Sequence, residues 1–163
     1  MRKVKAGLFI LFLITLFSAA FVTAADQSSN VRTFRAELKG SDMVPPVDTK
    51  AAGEIVFQFN SETNELNFRL VLENIEDVTA AHIHEGKECQ NNPPVVNLYD
   101  GRKKAGPFSG TLREGGISEE DFLRSLKEKP VQALIEMIEA GNAYVNVHTD
   151  KYPAGEIRGQ VKY

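Results

Sequence analysis

Cysteine is almost missing from this chain. Cys89 is the only one in 163 residues, so no disulfide can form within it, and the thiol is left free, shared with another chain, or used as a ligand. An excess of positive charge is also missing. Nineteen Lys and Arg stand against 22 Asp and Glu, for a net charge of −3, and scattered lysines in an acidic chain leave no footprint for nucleic acid. There is no Asn-x-Ser/Thr acceptor for N-glycosylation. Nor is there a Gly-x-Ser-x-Gly elbow, a Cys–His pair at a recognisable spacing or a phosphate-binding loop. Hydrolase and nucleotide-dependent chemistries therefore find no support. No internal repeat or low-complexity tract is present. Histidine is scarce, with three in all.

The one long apolar run lies at the start. Arg2, Lys3 and Lys5 precede an almost wholly apolar stretch over residues 7–22, followed by Val22-Thr23-Ala24-Ala25 and then a polar run from Asp26. That order describes a secretory signal peptide cleaved after Ala24 or Ala25. The alternative is an uncleaved anchor, since the run approaches a membrane-spanning length. No cysteine follows it to accept a lipoprotein anchor. The expectation is a signal peptide over residues 1–25 and one domain over residues 26–163, with no span after cleavage. The protein would be secreted to the extracellular space or held in the cell envelope (the periplasm, in a Gram-negative cell). Removing the leader takes away three basic residues and no acidic one, so the mature chain is more acidic still.

Beyond the leader, short alternating segments dominate. Residues 31–38 read as a first strand, and residues 40–52, with Met43-Val44-Pro45-Pro46-Val47, as a loop that cannot sit inside a sheet. Ile55, Phe57 and Phe59 share one face of a strand over 53–60. Leu66, Phe68, Leu70 and Leu72 share one face of a strand over 65–72, and the two pair across a turn at Ser61-Glu62-Thr63-Asn64. Further strands are expected at 78–84, 95–98, 107–112, 143–148 and 155–163, with a turn at Tyr99-Asp100-Gly101-Arg102. Ser118 caps a helix whose Asp121 takes the place of a capping-box Glu. Pro130 then breaks the pattern before a second helical stretch over 131–139, stopped at Ala140-Gly141-Asn142. Seven or eight short strands predict an all-β, antiparallel sandwich or barrel with a short helical insertion at about 118–140.

The three histidines fall in two of these strands. In Ala81-His82-Ile83-His84, residues two apart project from one face about 7 Å apart, so His82 and His84 share a face. In Ala143-Tyr144-Val145-Asn146-Val147-His148, the residues Tyr144, Asn146 and His148 share another. If the strands are neighbours, three imidazoles converge. Three imidazoles suit copper or zinc, and a fourth position would stay open. The alternative is a hydrogen-bonded cluster that pins the strands, with Thr149, Tyr144, Glu156 or backbone carbonyls as partners. Cys89, five residues beyond His84, is a candidate accessory ligand, although a solvent-facing thiol is the plainer expectation. Glu156 and Arg158 share a strand face and can pair with each other or with Asp150, or Arg158 can attract a small anion.

These same segments carry a resemblance. Ala81-His82-Ile83-His84-Glu85-Gly86, Pro94-Val95-Val96-Asn97-Leu98, Gly141-Asn142-Ala143-Tyr144-Val145-Asn146-Val147-His148-Thr149 and the closing Tyr152-Pro153-Ala154-Gly155-Glu156-Ile157-Arg158-Gly159-Gln160 together resemble the CHRD domain. That domain is named from chordin and also occurs in secreted microbial proteins. The likeness runs over about residues 31–161. It implies an immunoglobulin-like all-β fold and an extracellular setting, and it brings no settled activity. Some members carry further cysteines around the His-x-His loop, whereas here Cys89 stands alone. His-x-His-Glu-x-Gly is also similar to the copper-binding strand of copper/zinc superoxide dismutases, another antiparallel β fold. That likeness implies His82 and His84 as the strand pair and His148 as the distant ligand, but the bridging imidazole, the His-rich zinc site and that enzyme's disulfide have no counterparts.

Two functional readings follow. The first is an extracellular binding or structural module that recognises an unidentified extracellular protein or cell-surface ligand, with no catalytic activity assigned. The second is a mononuclear copper or zinc protein using His82, His84 and His148, with superoxide-dismutase-like redox chemistry as its boldest form. The first comes ahead, because the family likeness is extensive and the ligand set is short.

Overall fold

A computed structural model describes residues 30–163, so the expected signal peptide and the four residues after it lie outside the described residues. Alternating apolar side chains set the strands. Phe34, Ala36 and Leu38 of β1 (Val31–Lys39), Ile55, Phe57 and Phe59 of β2 (Ala52–Asn60), and Leu66, Phe68, Leu70 and Leu72 of β3 (Glu65–Glu85) are all buried. β3 is followed by β4 (Pro94–Ile117), helix α1 (Val131–Glu139), β5 (Ala143–Thr149) and β6 (Ile157–Gln160). Every pairing between them is antiparallel. The sheet order is β2-β1-β6-β5-β3-β4, with β2 also paired to β3. β1, β2, β3, β5 and β6 therefore close on themselves as a barrel, and β4 adds to the outside of β3. Of the two forms that the alternation allowed, the pairing is that of a barrel.

Among the described residues six strands replace the seven or eight expected, because two strands run through what read as breaks. β3 continues through Glu73–Asp77 by bulging: Asn74 and Asp77 take left-handed backbone angles (φ 51° and 52°), and the register against β4 shifts beside each. β4 runs from Pro94 to Ile117 without the expected turn at Tyr99–Arg102. The helix expected from Ser118 is instead two 3-10 turns, Glu119–Asp121 and Arg124–Leu126. Its capping interaction is present nonetheless, with the Asp121 carboxylate accepting the Ser118 N–H at 2.9 Å. A left-handed Arg124 (φ 51°) interrupts propagation there. The second helical stretch forms as read and sends Leu134, Ile135 and Ile138 into the core.

β3, β5 and β6 each present one face to that core: Ala81 and Ile83, Ala143, Val145 and Val147, and Ile157 are fully buried. The opposite face is polar. It is covered by two loops, 86–93 after β3 and 150–156 between β5 and β6.

Candidate metal centre

Register builds the site. His82 pairs with Asn146, His84 with Tyr144 and Ala80 with His148 across β3 and β5. Directly paired residues point to the same side of a sheet, so all three imidazoles rise from the polar face. One ring nitrogen from each of His82, His84 and His148 lies within 4.8 Å of the others. The ring centroids are 5.1–6.0 Å apart.

What the rings touch decides what they offer. Nδ1 of His84 lies 2.7 Å from the Asn92 carbonyl oxygen, and Nδ1 of His148 lies 3.0 Å from that of Pro153. A carbonyl only accepts, so both Nδ1 atoms carry the proton and both Nε2 atoms present a lone pair. These Nε2 atoms are shielded from solvent and have no hydrogen-bond partner among the described residues, and neither has Nδ1 of His82. Leaving a buried polar atom unpaired costs about 1–3 kcal/mol, and here three such atoms belong to one cluster. Of the partners expected for a hydrogen-bonded cluster, backbone carbonyls are engaged by His84 and His148 and Tyr144 stacks on His84, while Thr149 and Glu156 bond each other instead (2.8 Å).

The charge state fits ligation too. Burial, with a smaller contribution from His148, lowers the His82 pKa to about 4. Burial likewise lowers His84 to about 4, against the Asn92 hydrogen bond, which raises it. His148 is lowered by burial as well, against the Pro153 bond. All three are neutral near pH 7, the form that binds a metal. Tetrahedral zinc with Zn–N bonds of about 2.0–2.1 Å sets its nitrogens about 3.3 Å apart, so the triangle would contract by up to about 1.5 Å on loading. Imidazoles oriented by carbonyls behind them are the usual support for such a site.

Both supporting carbonyls ride on loops held from below. Asn146 donates from Nδ2 to the Ala154 carbonyl (3.1 Å), and the Thr149 hydroxyl accepts the Tyr152 N–H (3.2 Å). Glu156 takes hydroxyl hydrogen bonds from Thr149 and from Thr49 (2.6 Å), which also ties in the loop before β2. Gly155 has φ 119°, and a Cβ there would lie 2.2 Å from Oδ1 of Asn146, so only glycine fits. Arg158 secures the other loop. Its guanidinium donates to the carbonyls of Gln90 (2.7 Å) and Lys87 (3.1 Å) and to Oδ1 of Asn91 (3.3 Å).

Of the residues singled out in the sequence, the structure brings His82, His84 and His148 together. Cys89 is exposed and is not in the cluster. It lines a separate groove of about 710 Å³ with Met43, Val44 and Pro46. Glu156 bonds threonines rather than Arg158, and Asp150 pairs with Lys103. Backbone carbonyls were expected among the partners, but that Asn92 and Pro153 supply them went unread, because a backbone acceptor leaves no mark in side-chain identity.

A closed all-β barrel with a neutral three-histidine cluster on its polar face is thus the class of protein in hand. The family comparison matches the CHRD domain over residues 34–161, nearly the whole described chain, and the protein belongs to that family. Neither the curated proteins nor the solved structures yielded a match. No helix among the described residues is long and apolar enough to cross a membrane.

Proposed function

We propose that this is an exported CHRD module, mature from about residue 26, that works outside the cell as a binding or structural unit and holds one copper or zinc ion at His82, His84 and His148. The observation that carries the metal reading is the set of three buried, unpartnered ring nitrogens in one cluster. It moves the metalloprotein reading ahead of the metal-free module that sequence alone favours. The family assignment supports the extracellular setting and the binding role. No catalytic activity is assigned, and redox turnover forms no part of the proposal.

The test is a titration of untagged, chelator-treated protein with Zn²⁺ and, separately, Cu²⁺, followed by calorimetry and thermal unfolding. One ion should bind per chain and raise the melting temperature, since binding to the native state alone stabilises it by mass action. His148→Ala should remove both effects while leaving the apo fold intact. Absence of binding by the wild-type protein would return the assignment to a metal-free module.

A further inference from the structure

Arg158 lies outside the histidine cluster, yet the structure connects the two by a continuous path. It is 2% exposed, on β6. Its Cζ sits 3.5 Å from the centroid of the Tyr144 ring. Tyr144, on the strand between β6 and β3, stacks on His84 at 4.9 Å with an interplanar angle of 13°. Tyr144 is also tied to the residue that orients His84: its hydroxyl accepts the Asn92 N–H (3.0 Å) and lies 3.2 Å from the Asn92 carbonyl oxygen, the one that His84 Nδ1 engages. The same Arg158 holds Lys87, Gln90 and Asn91, just before Asn92 in the chain. Asn91 in turn donates to the Val44 carbonyl (2.6 Å). Arg158 thus reaches His84 by two routes, through the Tyr144 ring plane and through the loop that carries the Asn92 carbonyl.

We infer that Arg158 is the positioning residue of the metal centre, setting the plane and tautomer of His84 through Tyr144 and loop 86–93. This inference rests on the metal reading above. A lysine cannot replace it: an ammonium lacks the planar fork that spans three acceptors while stacking on a ring. Outer-shell changes of this kind typically cost ten- to a hundredfold in metal affinity. Coupling of this kind is reciprocal, so an ion that is held better when the loop is ordered must itself order the loop by the same factor.

The experiment compares wild type, Arg158→Lys and Tyr144→Phe. Three quantities are read: the ¹⁵N imidazole signals of His84 without metal, Zn²⁺ affinity, and amide exchange across residues 87–92 with and without Zn²⁺. Wild-type His84 should be a single tautomer protonated at Nδ1, and Zn²⁺ should slow exchange in the loop. R158K should show mixed tautomers, at least tenfold weaker Zn²⁺ binding and a loop that Zn²⁺ no longer protects. Y144F, which keeps the ring but loses the hydroxyl link, should show a smaller loss in the same direction; if R158K does not fold, the same readings in Y144F test the Tyr144 link to the Asn92 carbonyl, and unchanged values there overturn that route. Unchanged tautomer and affinity in a folded variant would overturn the positioning role, as would wild-type His84 protonated at Nε2. A wild-type protein that binds no Zn²⁺ but shows the single Nδ1 tautomer, lost in R158K, would refute the metal reading and leave Arg158 as the residue that orients His84.

Discussion

At the scale of single residues, protonation and close packing make the sharpest demands. With His82 and His84 folded near pKa 4 against an ordinary 6.5, the unfolded chain takes up protons first as pH falls. Stability of the metal-free protein should therefore decline from about pH 6.5 towards 4. Urea midpoints measured between pH 7 and 5, above the range in which carboxylates titrate, check this; a flat profile contradicts it. The lowered values of His82 and His84, with His148 lowered too, predict that metal binding weakens as pH falls below the ordinary imidazole range and is lost near 4, as protons compete for the nitrogens. Gly155→Ala should cost about 2 kcal/mol or more, because it puts a Cβ against Asn146 at an unfavourable φ, and thermal unfolding reads that loss. The histidines could be read from the sequence because a two-residue period puts His82 and His84 on one side. Their tautomers could not, since these depend on carbonyls of Asn92 and Pro153 whose position is a property of loops. Arg158 was recognised as a strand residue of interest, but its engagement with the 87–91 backbone depends on a loop conformation that no pattern announces.

At the scale of elements, β2 and the first half of β3 were legible because Ile55, Phe57, Phe59, Leu66, Phe68, Leu70 and Leu72 alternate without interruption. The second half of β3 and the whole of β4 were not. Polar residues at a bulge look like polar residues at a turn, and only pairing with a neighbour separates them. Asp77 shows what holds such a bulge together: its carboxylate accepts the Gly106 N–H (3.0 Å) and pairs with Lys103 (3.0 Å), and its carbonyl accepts the Asp150 N–H (3.2 Å). Asp77→Val should destabilise the fold by about 1–3 kcal/mol, since a β-branched residue is poorly tolerated at positive φ. Amide exchange across residues 99–107 should quicken more than exchange in β2. Equal effects on both strands would mean that the bulge is not what ties β4 to the barrel. The helix expected at Ser118 failed for a related reason. Its capping signal was real, but a cap starts a turn and does not guarantee its propagation.

At the scale of the molecule, closure is the feature on which the site depends. β6 joins β5 to β1 through a short pairing, Lys39 with Arg158, in which Gly159 lets the Glu37 carbonyl approach to where a Cβ would stand (2.0 Å). That contact places Arg158 beneath loop 86–93, and β5 beside β3 sets His148 among His82 and His84. Core and cluster are thus two faces of the same three strands, apolar inward and polar outward. The account's central claim, that this polar face holds one metal ion by three imidazoles, is tested most directly by X-ray absorption on the protein loaded with one equivalent of Zn²⁺. The account predicts a first shell containing three nitrogen scatterers at about 2.0–2.1 Å with the outer-ring pattern of imidazole, reduced in His148→Ala. A shell of oxygens alone, or a spectrum indifferent to that substitution, would contradict it.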